Sequence, residues 1–305
     1  MAGTYLQQDA YGDIPGARPL FKESMSDDQL IDLVRSEPAV AHARNSCDWV
    51  VATALYQEKA AVLRPPQSAK SACWLAFVDR EEHSAVGWSK VAIVLFHRYE
   101  RNENIFKVIL PAVLPQQQIV FVNHALPQAR CLGMEHLIRS KDLAKGMAPH
   151  LFASRIPGWS GRAVLPGYLE MAKGYLERRN ASSDLEQYEE QVARMTRTGF
   201  NVSHRFRVVD TLWMIWPAAD HVAERMSRLW LHEVARHSSL EKVSYPWVCS
   251  RVPAFRAKLV DAVYIYAPAQ RVCPASGDNA SILASGKTPR RARIRAKRRG
   301  RRLGL

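Results

Sequence analysis

Apolar positions in this chain fall into short runs broken by polar turns, and the spacing alternates between helical and strand-like. The first 24 residues are punctuated by Gly and Pro and lack periodicity, which predicts a flexible arm with at most a short strand at Arg18 to Lys22. Ser26 then stands before Asp27 and Asp28, a side-chain cap followed by two acids in the first turn of a helix expected over 27–35. A longer helix is expected from Pro38 to Leu63. Its stripe would be Val40, Cys47, Val50, Val51, Ala54, Leu55 and Val62, and Pro65 and Pro66 would end it.

Strand signals follow. Trp74 to Val78 is a compact apolar run, Asp79 to His83 a charged turn, and Ala85 to Phe96 a stretch rich in β-branched and aromatic residues, which together predict a β-hairpin. Ile105 to Leu114, interrupted by Pro111, fits an edge strand or a short helix. Ile119 to Val122 is apolar throughout and suits a buried strand. Helical spacing resumes from Pro127 to about Lys145. A strand is expected at His150 to Ile156, then helices near 168–179 and 185–197, and a strand at Arg207 to Trp216. Pro217 suits a first helical position and opens an amphipathic helix reaching His237. The stretch from Tyr245 to Ala267 gives no clear period, and no internal repeat is visible.

The 47% hydrophobic content over 305 residues is enough for one large core or two modest ones. The net charge of +14 is not spread along the chain. Ten of the Lys and Arg residues lie between Lys287 and Arg302, and no carboxylate follows Asp278. Removing those ten leaves 33 basic against 29 acidic residues, so the body has a balance of only +4. Residues 287–305 therefore read as a disordered polybasic tail able to bind nucleic acid non-specifically through Lys287 to Arg302; a merely solubilising extension is the alternative. Cys47, Cys73, Cys131, Cys249 and Cys273 show no CxxC pair or framework, which suits reduced thiols and a cytoplasmic location. No apolar run is long enough for a membrane span.

The segment richest in chemistry is Ile119 to Val122, then Asn123-His124-Ala125-Leu126, then Pro127 to Ile138 with Arg130 and Gly133. A strand feeding a turn and a helix N-terminus points several backbone N–H groups at one place, which suits a pyrophosphate. The order of elements around it resembles the GCN5-related N-acetyltransferase superfamily, known as GNAT. The resembling motifs are the expected hairpin of Cys73 to Asp79 and Ser84 to Lys90, the loop Arg130-x-x-Gly133-Met134-Glu135, and Ala193-Arg-Met195-Thr-Arg-Thr-Gly199-Phe200. Glu135 stands where that loop usually has Gly or Ala, and Met195 where many members have a tyrosine.

The resemblance implies an α+β fold: a GNAT-like central mixed sheet flanked by helices over 25–216, a C-terminal helical extension over 217–286, and the basic tail. It implies acyl-CoA-dependent transfer to an amine, with acetyl-CoA as co-substrate held by Ala125, Arg130, Cys131, Leu132, Gly133, Met134 and Glu135. His124 is the candidate base that strips the ammonium, and Tyr188 a substitute acid for the missing tyrosine. The alternative is a non-catalytic interaction protein working through its tail. No metal is expected. His232-Glu233 and His237 approach a zinc motif, but on a helix a five-residue step turns about 140°, which would keep the two imidazoles off one ion.

Overall fold

A computed structural model describes residues 14, 16, 18–56, 72–82, 85, 87–123, 149–155, 164–179 and 181–261. The chain divides into units 1–266 and 267–305, and the second, with the basic tail, lies outside the described residues. The first unit is built on a mixed sheet of seven strands with helices packed against it. The strands are β1 (Trp49–Leu55), β2 (Ala72–Val78), β3 (Ser89–Ala92), β4 (Gln118–Val122), β5 (Leu151–Arg155), β6 (Val209–Trp216) and β7 (Ala257–Asp261). Their order across the sheet is β3-β2-β1-β4-β6-β5-β7.

Strands β1 to β4 are mutually parallel, and β5 is parallel to β7. Strand β6 is antiparallel to both its neighbours, so it alone runs against the rest. The described helices are α1 (Asp27–Arg35), α2 (Pro38–Ser46), α3 (Tyr99–Val113), α4 (Leu165–Arg178), α5 (Ser182–Arg197), α6 (His221–Arg236) and α7 (Glu241–Arg251). The residues set apart as a C-terminal extension thus supply α6, α7 and an edge strand of the same sheet.

The helix expected over 38–63 is instead α2 followed by β1. Val50, Ala52 and Ala54 face the large helical core, whereas Val51 and Leu55 face a second cluster with Trp74, Val120, Val122, Trp213 and Ile215. A strand buried on both faces shows no polar alternation, so its sequence imitates a helical stripe. The hairpin is also overturned, because β2 and β3 pair in parallel. The charged residues after Val78 begin a crossover rather than a tight turn. Along it Trp88 packs edge-on against Trp74, ring centroids 5.0 Å apart.

The ambiguous stretch at 105–114 lies within α3, whose Pro111 falls in the last turn. There the terminal carbonyls of Ala112 and Val113 accept hydrogen bonds from the Arg35 guanidinium, which offsets lost intrahelical donors. The Ser26 cap forms as expected, and reciprocally the Ser26 amide donates to the Gln29 side-chain oxygen. Helix α6 starts four residues after Pro217, where Asp220 accepts from the Val222 and Ala223 amides.

The expectation of reduced thiols fails at one pair. Cys47 and Cys73 form a disulfide with Cα atoms 5.9 Å apart, inside the usual range. Parallel pairing explains it, since Val50 lies opposite Cys73 and Cys47 precedes β1 by two residues. Nothing in the spacing of these cysteines announces a contact made by sheet register. Such bonds persist in oxidising surroundings, so unpaired thiols no longer support a cytoplasmic location. Among the described residues no helix is long and apolar enough to cross a membrane.

Candidate functional site

The chain leaves β1 for β2 and β3 on one side, then passes to β4 on the other side of β1. That reversal makes the carboxyl ends of β1 and β4 a topological switch point, the position where open α/β sheets bind ligands. Its strands end at Leu55 and Val122, and β2 beside them ends at Val78, leading into Tyr56, Asn123 and Asp79. Strand β6 adds to the same edge. Val122 pairs with Trp213, so residues 209–212 run past the end of β4 and bring Asp210 and Thr211 there.

Tyr56 is fully buried, and its hydroxyl donates to the Ile93 carbonyl. Burial pushes its pKa well above the ordinary phenol value, and the charges of Asp79 and Glu103 push the same way. The phenol is therefore a fixed neutral donor. The turn from β3 into α3 is pinned by Asn102, whose side-chain oxygen accepts from the Leu95 and Phe96 amides while its amide donates to the Phe96 and Arg98 carbonyls. All this amide's capacity is used inside the protein, and the first turns of α3 are fixed against the crevice.

Those turns carry Asn104 and Lys107 into a buried polar cluster. The Lys107 ammonium lies 2.6 Å from Asn104 Oδ1 and 3.4 Å from Glu241 Oε1. Thr211 donates its hydroxyl to the same Glu241 oxygen, and Lys242 stands 3.4 Å from Asp210 Oδ1. Burial pushes the Glu241 carboxyl up, but the charges of Lys107 and Lys242 and the Thr211 hydroxyl outweigh it, holding the group below the usual carboxylate range. For Lys242 burial opposes the charge, and Asp210 and Glu241 overcome it, raising its pKa. Tyr168 of α4 lies nearby; burial first, then Glu241, Glu100 and Asp210, push its phenol well up. The Glu241 carboxylate is thus held ionised beside Lys107 and Thr211, and the cluster braces α3, β6 and α7 at the sheet's carboxyl edge.

The residues singled out by sequence, His124, Ala125, Arg130, Cys131, Leu132, Gly133, Met134 and Glu135, lie outside the described residues, as does the helix expected from Pro127 to Lys145. They follow directly in the chain from the carboxyl end of β4. Tyr188 is described and cannot serve as the substitute acid. Its hydroxyl donates to the Leu169 carbonyl at 2.9 Å inside the core, and burial pushes its pKa up. Met195 is completely buried in the same core.

Sequence reasoning passed over Lys107 and Glu241. One signal existed: Lys107 interrupts an otherwise apolar run from Ile105 to Leu110, a position where a cation requires a buried partner.

The histidine pair also departs from expectation. His237 is the residue that ends α6, with φ −125° and ψ −140°, so helical spacing does not govern it. The change in φ from the helical value swings its Cβ by roughly 60° about the N–Cα bond. The His232 and His237 rings stand 6.3 Å apart between centroids, and one ligand atom from each of His232, Glu233 and His237 lies within 4.8 Å of the others. No protein-family model matches the chain, and no curated protein matches it.

Proposed function

We propose that this protein is a nucleotide-dependent transferase whose donor lies across the carboxyl edge of the sheet, over β1 and β4, and that the donor is a nucleotide sugar. The observation supporting this reading is the strand order, 3-2-1-4-6-5-7 with the sixth strand alone reversed. By analogy of fold, that is the order of nucleotide-sugar glycosyltransferases of the GT-A type. The parallel half supplies a switch-point crevice of the kind that receives nucleotides. Asp79, at the carboxyl end of β2, occupies the position from which an acidic side chain takes a ribose hydroxyl in doubly wound nucleotide-binding sheets.

Transfer in such a site breaks the bond between the anomeric carbon and the diphosphate oxygen and joins that carbon to an acceptor hydroxyl. The hydroxyl proton is lost and the nucleoside diphosphate departs. Asp79 would orient the nucleoside above a floor fixed by the buried Tyr56 and the first turns of α3.

The acyl-CoA reading loses its hairpin, because β2 and β3 are parallel. It remains the competing outcome of the test. Thermal unfolding of the full chain is followed with uridine, guanosine, adenosine and cytidine diphosphates and their sugars, with Mg²⁺ or Mn²⁺, against CoA and acetyl-CoA. A rise in Tm with a nucleoside diphosphate, reduced in Asp79→Asn, supports the proposal. A rise with CoA alone returns the protein to acyl transfer.

A further inference from the structure

We propose that the C-terminal end of α6 is a binding site for a divalent transition cation of the zinc class, with His232, Glu233 and His237 as its three protein ligands. The site is independent of the nucleotide crevice and of the reaction proposed there. Two imidazoles and one carboxylate form the nitrogen and oxygen set that zinc accepts, with a fourth position left to water.

Two observations support it beyond the proximity of the side chains. The first is an orphaned acceptor. Glu233 is buried, and its Oε2 takes hydrogen bonds from Gln191 Nε2 at 3.0 Å and from the Arg194 guanidinium. Its Oε1 is also buried but finds no hydrogen-bond partner among the described residues, and neither does Gln191 Oε1. Buried carboxylate oxygens are rarely left bare, and an ion is one of the few things that satisfies them.

The second is an orienting carboxylate. His232 Nδ1 lies 3.0 Å from Asp27 Oδ2 at the start of α1. A carboxylate on one ring nitrogen fixes the tautomer and leaves the other nitrogen as a lone-pair donor, the arrangement metal-binding histidines use.

Two ligands on one tetrahedral zinc stand about 3.4 Å apart. The three atoms, within 4.8 Å of one another, close onto an ion by side-chain movements on the order of 1 Å. The carbonyl end of α6 favours a cation. The neighbouring guanidiniums are each engaged: Arg194 with Glu233, Arg236 with Asp27, and Arg101 with the His237 carbonyl.

The test uses the full chain, stripped with a chelator and titrated with Zn²⁺ by calorimetry and with Co²⁺ by visible absorbance. Wild type is expected to bind one equivalent that His232→Ala and His237→Ala each bind at least tenfold more weakly. Both histidines are partly exposed, so both variants are expected to keep the wild-type Tm in chelator. If wild type takes up no equivalent, or both variants bind as wild type does, the proposal is overturned. The same follows if only thiolate-to-cobalt absorbance appears, since the site has no sulfur.

Discussion

The Lys107 ammonium stands 3.4 Å from the Glu241 carboxylate although 134 residues separate them, and each side chain is less than a tenth exposed. Removing one partner leaves the other charge buried without compensation, which typically costs roughly 3–5 kcal/mol. Lys107→Met is therefore expected to lower the urea midpoint sharply. Lys107→Met with Glu241→Met should recover much of the loss. A single substitution without measurable effect would mean that the pair does not brace α3 against α7.

The same pair gives the stability a pH dependence of defined sign. Glu241 titrates below its ordinary value of 4.5, so its contribution is complete above that pH and disappears as pH falls through the lower folded value. Unfolding measured from pH 6 to pH 3 should show a loss of stability that is smaller in Glu241→Gln.

Asn102 makes four hydrogen bonds to main-chain groups at the turn into α3. Asn102→Ala leaves the buried Leu95 and Phe96 amides without acceptors, at a cost of roughly 3 kcal/mol. Asn102→Asp should restore those two acceptor bonds but not the donors, and fall between the two in chemical denaturation.

The disulfide joins residues 26 apart at the edge of the sheet opposite the crevice. In the chain-entropy account, closing such a loop contributes roughly 3–4 kcal/mol. Reduction, or Cys47→Ser with Cys73→Ser, should lower Tm by that measure while leaving nucleotide affinity unchanged. Cys249 should be unreactive in the same samples, since burial pushes its thiol up to about 12 against the opposing bond with Tyr245. Mapped alkylation at pH 8 should find it labelled on the order of a thousandfold more slowly than an ordinary cysteine.

Several local signals in the sequence carry over into the structure, whereas contacts between distant segments do not show in it. The Ser26 cap and its helix, the strand at Ile119 to Val122, and the helices ending at 178 and 197 follow from spacing and capping chemistry alone. Strand β1 was misread because burial on both faces erases alternation. The parallel pairing of β2 with β3 is not legible because the charged stretch Asp79 to His83 after a strand looks like a turn whether the chain reverses or crosses over. The disulfide and the Lys107–Glu241 pair depend on register and topology, which no local window contains. The segment the sequence favours for an anionic ligand begins where β4 ends and lies outside the described residues. The His232 and His237 pair was dismissed on ideal helical geometry, and one residue of helix termination undoes that reasoning.

Hydrogen exchange with a saturating nucleoside diphosphate tests the location of the donor most directly. Slowed exchange is expected in peptides spanning the carboxyl ends of β1, β2 and β4, with little change in β7 and at the opposite edge near Cys47 and Cys73. Protection elsewhere, or none with any nucleoside diphosphate at millimolar concentration, would contradict a nucleotide site at the switch point.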